Sequence, residues 1–183
     1  MKFIEEIRTR LHHSFLKREL PPHPVKRSSM YLDNASSVGI LFDGTEPEDR
    51  KLVLDFAEKL KKAGKKVKLL AFFDNKLKSA DFTFLHFNRL QLDFALRPKT
   101  RDVTEFIGQE FDLLLNLSNR SILPLDYIAA LSRAKFRVGP FTEKTFCYDL
   151  MMDQSGKKDL GAFLQQVIFY MKKMRPDHET AAN

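Results

Sequence analysis

Short apolar runs alternate with amphipathic stretches along most of the chain. Continuous apolar runs are typical of strands buried on both faces of a sheet, whereas apolar positions three or four residues apart indicate helices. Residues 38–42 form one such run, and the strand predicted at 66–73 contains another at 69–73. A helical pattern ending at Gly64 separates the two strands. This order of strand, helix and strand predicts a right-handed parallel βαβ unit.

Further elements follow the same logic. The sequence predicts short strands at 113–117, 136–138 and 150–152. It predicts further helices over 3–16, 101–110 and 159–174 and one that opens at Pro124, a favourable residue for the first turn.

The region 76–98 has a mixed pattern. Its phenylalanines predict a strand at 82–87, and apolar residues then alternate from Leu90 to Leu96. Such alternation suggests a second short strand, which Pro98 would end.

Alternating strands and helices predict an α/β protein with a three-layer Rossmann-like or flavodoxin-like domain. The sheet is expected to be mostly parallel, and an amphipathic helix precedes it. The predicted divisions are an amphipathic helix with a proline-containing basic arm at 1–36, a single α/β domain at 37–175, and a disordered tail at 176–183. A chain of 183 residues can hold such a core without a metal or a disulfide.

The N-terminal helix carries an apolar stripe of Phe3, Ile7, Leu11 and Phe15. We expect this stripe to pack on the domain. It could instead dock on another protein or on a second copy of this chain, as in a homodimeric scaffold. Binding to a membrane surface is disfavoured by two glutamates at the start of the helix.

The single cysteine, Cys147, excludes an internal disulfide and a cysteine-built zinc site, and its aromatic neighbours predict a buried thiol. The N-terminus lacks the apolar core of an export signal, and no apolar run is long enough to span a membrane. A cytoplasmic location is therefore expected.

The chain has a net charge of +7, and the excess lies mainly in residues 1–37 and 154–183. A basic surface can recruit nucleic acid or an acidic protein, although the same charge can serve solubility alone. RNA or a ribonucleoprotein surface is the first expectation. The candidate contacts are basic residues of the helix and arm: Arg8, Arg10, Lys17, Arg18, Lys26 and Arg27.

In a parallel α/β sheet, ligands bind beyond the carboxyl ends of the strands. Three loops are expected at that edge, and their polar and glycine residues form a candidate ligand crevice: Asp43, Gly44, Thr45, Asp74, Asn75, Asn116, Ser118, Asn119 and Arg120. Arg120 could bind a phosphate or a carboxylate through two hydrogen bonds. Asparagine and serine are also common in turns and helix caps without any ligand.

The loop after the first strand does not favour phosphate. Thr45 and Glu48 have the spacing of a capping box, and the first turn of the helix carries several carboxylates that would compete for its positive end. Asp43 and Asp74 both follow predicted strands. They could share a metal or a proton, although aspartates are also ordinary turn residues at such positions.

No catalytic motif is specific enough to name a reaction. The sequence has no Rossmann glycine fingerprint, no P-loop and no paired histidines for a metal. We therefore predict no catalytic residue, no metal and no cofactor, and favour a non-catalytic binding or accessory module over an enzyme. The alternative is a small-molecule enzyme or sensor that binds a nucleotide or sugar nucleotide at the strand-end loops.

Residues 111–139 read FDLLLNL and then YIAALSRAKFRVG. This segment resembles a strand–helix–strand phrase in the N-terminal half of heptosyltransferase-type glycosyltransferases of the GT-B architecture. The chain lacks that family's early glycine-rich loop and is too short for its second domain. As a whole, through features at 39–43, 111–139 and 148–153, the chain resembles a small uncharacterised bacterial family of Bacteroidetes type. That resemblance implies an α/β domain in a bacterial cytoplasm and supplies no activity.

Overall fold

The computed structural model describes residues 2–21, 25–76, 82–153 and 159–173. Within these residues the strands are β1 (Ser37–Asp43), β2 (Lys66–Phe73), β3 (Leu85–Asn88), β4 (Leu113–Leu117), β5 (Phe136–Pro140) and β6 (Leu150–Met152). The α-helices are α1 (Lys2–Glu19), α2 (Pro47–Lys62), α3 (Arg101–Gly108), α4 (Leu123–Leu131) and α5 (Leu160–Lys173).

The strands form one sheet in the order β3-β2-β1-β4-β5-β6, and every neighbouring pair is parallel. The predicted α/β class with a mostly parallel sheet is therefore confirmed. The chain builds outward from β1 to β3, then returns across the sheet to place β4 on the other side of β1. The strand order reverses between β1 and β4.

Two apolar layers enclose the sheet. Alternating side chains of β1 point to opposite faces, so that Ile40 belongs to the layer under α2 and α5, whereas Leu41 belongs to the layer under α1, α3 and α4. Both residues are completely buried. Burial on both faces explains why the strands read as continuous apolar runs.

The structure corrects the prediction for residues 90–96, which do not form a strand. A short 3₁₀ helix spans Arg89–Gln91, and Asn88 caps it by accepting a hydrogen bond from the Leu90 amide. The Gln91 side chain accepts a hydrogen bond from the Asn88 amide over 3.0 Å, which completes a capping box. An isolated antiparallel bridge pairs Leu92 with Pro98. The strand expected at 82–87 begins later, at Leu85.

The predicted packing of the N-terminal helix holds only in part, because Ile7, Leu11 and Phe15 are half-buried but Phe3 is not. Phe3 is 72% exposed, whereas His12 and Leu16 are buried in the contact with the domain. Residues four apart on a helix are offset by about 40°, so the predicted stripe winds away from the contact towards the N-terminus. His12 Nδ1 hydrogen-bonds the Ala95 carbonyl over 2.8 Å. Glu19 accepts a bond from the Tyr127 hydroxyl, which ties the end of α1 to α4.

The tail predicted at 176–183 lies outside the described residues. No helix in the described ranges is both long and apolar enough to cross a membrane.

Candidate functional site

The carboxyl ends of β1 and β4 lie side by side where the strand order reverses. Phe42 pairs with Leu117 in the sheet register, so the residues that follow them, Asp43 and Ser118, emerge next to each other. An ion pair of 3.3 Å joins Arg120 to Asp43 across this point. We call the region formed by residues 43–45 and 116–120 the switch-point crevice. Open parallel α/β sheets bind ligands at this place.

Thr45 organises the first loop of the crevice. The Asp43 carboxylate accepts hydrogen bonds from the Thr45 amide (3.0 Å) and hydroxyl (2.6 Å). The same hydroxyl oxygen accepts a bond from the Asp74 amide over 2.8 Å and so connects the loops after β1 and β2. The predicted capping box is therefore wrong, because Glu46 is the N-cap of α2 and makes no side-chain capping bond. Gly44 donates to the Phe72 carbonyl over 2.8 Å.

The second loop turns away from the crevice. Asp74 forms an ion pair with Arg89, and the Asn75 carbonyl accepts a bond from the Arg89 amide over 3.1 Å. Asp43 is paired with Arg120 instead. Each carboxylate therefore has its own arginine, and nothing in this arrangement supports the suggested sharing of a metal or a proton. No group of three or more potential metal-ligating side chains occurs in the described ranges.

A buried polar chain lies behind the third loop. Asn116 donates through Nδ2 to the Tyr148 hydroxyl over 2.6 Å, and that hydroxyl donates to Asp126 over 2.5 Å. The second oxygen of Asp126 accepts a bond from the Ser121 hydroxyl. Burial raises the pKa of Asp126 to about 6, although its two hydrogen bonds act in the opposite direction. Burial and the neighbouring Asp126 raise the pKa of Tyr148 well above its usual value.

Two polar atoms beside this chain have no hydrogen-bond partner among the described residues. They are Asn116 Oδ1 and Ser118 Oγ, and the two residues are 0% and 2% exposed. Strand alternation places both on the same face as Asp43, at the end of β4. An unsatisfied buried polar group costs about 1–3 kcal/mol, which makes the pair notable at the buried end of β4.

The predicted residues of the third loop thus divide into three kinds. Asn116 and Ser118 are buried at the inner end of the crevice, Arg120 is exposed at its mouth, and Asn119 lies between them, half-buried.

The site residues predicted from the sequence do not include Ser121, Asp126 or Tyr148. One signal was available, because Asp126 is the single charged residue of the apolar helix α4. Nothing in the spacing could have joined it to Tyr148.

Cys147 is buried, as predicted. Burial and the charge of Asp126 raise the pKa of its thiol to about 12.

The far side of the crevice, at the start of α2, is acidic. Burial raises the pKa of Asp49, and the nearby carboxylates of Asp43, Glu46 and Asp159 add to the effect. The absence of phosphate binding at the first turn of α2 stays a prediction.

The basic residues predicted to contact an acidic partner also divide. Arg8 donates to the Phe94 carbonyl over 2.9 Å, and Arg27 donates to the Ala134 carbonyl. The other four are exposed: Arg10, Lys17, Arg18 and Lys26. Large apolar side chains are exposed near the N-terminal half of α1, including Phe3 and Phe94.

The strand order defines a Rossmann-like α/β protein with polar side chains at its switch point. The chain belongs to a family of unknown function, DUF6913, which it matches over residues 8–174. The match covers most of the chain and confirms the resemblance to an uncharacterised family. No curated protein matches the sequence.

Proposed function

We propose that the protein binds a small polar molecule, with a nucleotide or sugar nucleotide as the first candidate class, in the switch-point crevice. One observation carries the proposal: Asn116 Oδ1 and Ser118 Oγ are buried where the strand order reverses, and neither has a hydrogen-bond partner in the part of the chain that the structure describes. A ligand that bonds these atoms would remove their desolvation cost. The proposal is for binding and names no reaction.

The charges around the crevice support a particular placement. Arg120 is 61% exposed at the side chain and offers a guanidinium group at the mouth, next to β4. Asp43 is paired with this guanidinium at 3.3 Å, and the start of α2 is acidic. An anionic part of a ligand therefore fits beside Arg120, and a hydroxyl-bearing part fits further in.

A thermal-shift series tests this proposal. The full chain is heated with nucleotides and sugar nucleotides, each at several concentrations. A ligand at one hundred times its dissociation constant stabilises the folded state by about 2.7 kcal/mol. We therefore expect at least one compound to raise Tm by several degrees, and calorimetric titration then gives its Kd. A flat response across both classes would refute the proposal for those ligands.

Two arginine variants localise the binding. Arg120→Gln removes the guanidinium at the mouth and should weaken binding about tenfold. Arg133→Gln is the matched control, since Arg133 is also half-exposed and paired with one carboxylate, Glu110, but contributes nothing to the crevice. Equal affinities for the two variants would place the ligand elsewhere.

A second candidate function is docking of an acidic partner, RNA first, along α1. It is favoured by the exposure of Arg10, Lys17 and Arg18 on one helix. The 260/280 nm absorbance ratio of protein purified at low salt tests it, because phosphate contacts are lost as salt rises. A high ratio that falls after a salt wash supports RNA binding. A low ratio throughout, with the same value for the triple glutamine variant, counts against it.

A homodimer through the same helix stays a prediction. A mass that rises with protein concentration would support it, and a constant monomer mass would exclude it over the range measured.

A further inference from the structure

The Asn116 carboxamide can accept from one end and donate from the other. The structure has Nδ2 against the Tyr148 hydroxyl at 2.6 Å and leaves Oδ1 buried and without a partner among the described residues. Which end of the Asn116 amide faces Tyr148 depends on whether the tyrosine hydroxyl has a proton to donate to Asn116.

Tyr148 has one hydroxyl proton, and it donates that proton in a hydrogen bond to Asp126. An ionised carboxylate can only accept hydrogen bonds, so its 2.5 Å contact with Tyr148 requires the tyrosine to donate. The Ser121 hydroxyl donates to the other oxygen of the same carboxylate. With its proton committed, the Tyr148 oxygen can only accept from Asn116, so the amide NH₂ must face it. The donors and acceptors of Ser121, Asp126 and Tyr148 together therefore fix the orientation of the Asn116 amide.

We infer that Asp126, acting through Tyr148, holds Asn116 with its carbonyl oxygen turned away from Tyr148 and able to accept, so that the ligand group that reaches it is a hydrogen-bond donor. This inference rests on the proposed function and determines which end of the ligand enters the site first. A hydroxyl or N–H group can donate a hydrogen bond to Oδ1. An ionised phosphate or carboxylate oxygen has no proton to donate and would be repelled by the lone pairs of Oδ1. The uncharged, hydroxylated end of the ligand enters first, and any anionic group stays at the mouth beside Arg120. Asp126 and Tyr148 are positioning residues.

The orientation of the amide can be observed directly without a ligand. In isotope-labelled full chain at pH 7.5, the side-chain NH₂ of Asn116 should show nuclear Overhauser contacts to the ring protons of Tyr148. Asp126→Asn supplies an NH₂ group that can donate to Tyr148, which frees the tyrosine proton for Asn116. We expect Asn116 to reverse and these contacts to weaken or vanish.

Ser121→Ala is the matched control. It removes the other hydrogen bond to Asp126 but leaves the carboxylate able to accept from Tyr148, so the amide contacts should remain. If Asp126→Asn does not fold, Tyr148→Phe removes the relay without changing a charge and should likewise release Asn116.

Titration with two probes tests the polarity. UDP-glucose should shift the Asn116 side-chain amide signal, and inorganic phosphate should shift the Arg120 side chain but not Asn116. Asp126→Asn should weaken UDP-glucose binding at least tenfold, whereas Ser121→Ala should stay within about twofold.

The outcomes separate the two proposals. A wild-type amide with its oxygen towards Tyr148, or phosphate shifting Asn116 as strongly as UDP-glucose does, overturns the inferred polarity. A correctly oriented amide in a protein that binds no nucleotide or sugar nucleotide supports the polarity and counts against the proposed function.

Discussion

Gly139 on β5 shows how a single residue shapes the site. A Cβ atom added there would lie 2.4 Å from the Tyr148 ring, closer than any packing allows. The missing side chain is what lets the tyrosine lie on the sheet and reach both Asn116 and Asp126.

Gly139→Ala should therefore destabilise the protein by about 1–3 kcal/mol, the usual cost of overpacking. Gly108→Ala is the control, since a Cβ atom at this end of α3 meets nothing within 4 Å. That change should be neutral or should stabilise by about 0.5–1 kcal/mol, as alanine favours a helix over glycine. Urea unfolding measures both, and equal effects would contradict the packing argument.

Asp126 makes stability depend on pH in a predictable direction. Its pKa is about 6 in the folded protein and 3.8 in the reference state, so between these values the folded state holds a proton that the unfolded state has lost. Stability from this group therefore rises as pH falls through 6 and levels off below 3.8, by roughly 3 kcal/mol over the whole range.

Asp126→Asn removes this dependence. We expect the free energy of unfolding of the wild type, relative to the variant, to increase by roughly 2 kcal/mol between pH 7 and pH 4. Comparing the two proteins cancels titrations they share, such as that of His12, whose pKa burial lowers. A difference that does not change with pH would mean that Asp126 is not the titrating group.

At the scale of elements, α1 is the instructive case. Its apolar stripe is real in the sequence, but the helix docks through a neighbouring face that includes a histidine. The helix is fixed by polar contacts at specific places, such as His12 to the Ala95 carbonyl and Glu19 to Tyr127 and Arg97. Periodicity alone does not predict such contacts.

Two substitutions distinguish the observed docking face from the predicted one. Leu16→Ala removes a side chain that is 1% exposed and should cost about 2–5 kcal/mol. Phe3→Ala, in the same helix, should change stability by less than about 0.5 kcal/mol, because Phe3 is largely in solvent. Chemical denaturation of both variants provides the measurement. A larger loss of stability for Phe3→Ala than for Leu16→Ala would show that the predicted stripe is the packing face.

At the scale of the whole molecule, Asp112 joins segments that are far apart in sequence. Its carboxylate accepts bonds from the Ser36 and Ser37 amides and forms an ion pair of 2.7 Å with Lys135. These contacts connect the starts of β1, β4 and β5. The bond from Lys135 is the main reason that the pKa of Asp112 falls to about 2, and burial opposes it.

A lowered pKa stabilises the fold above the unfolded value of 3.8, and this stability is lost as pH falls towards 2. Asp112→Asn should therefore move the acid unfolding midpoint to a higher pH, followed by circular dichroism. Asp55→Asn is the control, because Asp55 belongs to an exposed ion pair within α2 and such pairs contribute little. Coinciding midpoints for Asp112→Asn and the wild type would contradict the role of Asp112.

The sequence by itself determined most strands of the sheet, most helix positions, the parallel α/β class and the burial of Cys147. These features depend on apolar periodicity within a few consecutive residues, and that information is present in the chain without its fold. It also placed Asn116, Ser118 and Arg120 at a strand end, since such an edge follows from a parallel sheet.

Only the tertiary structure decided which strand ends meet and what lies behind them. The return of the chain from β3 to β4 sets Asp43 beside Ser118 and directs Asp74 to Arg89 instead. Asn116, Asp126 and Tyr148 come from a strand, a helix and a later loop, so no spacing in the sequence connects them. Their hydrogen bonds exist because Gly139 leaves room for one ring against the sheet, and this contact is set by strand order and packing.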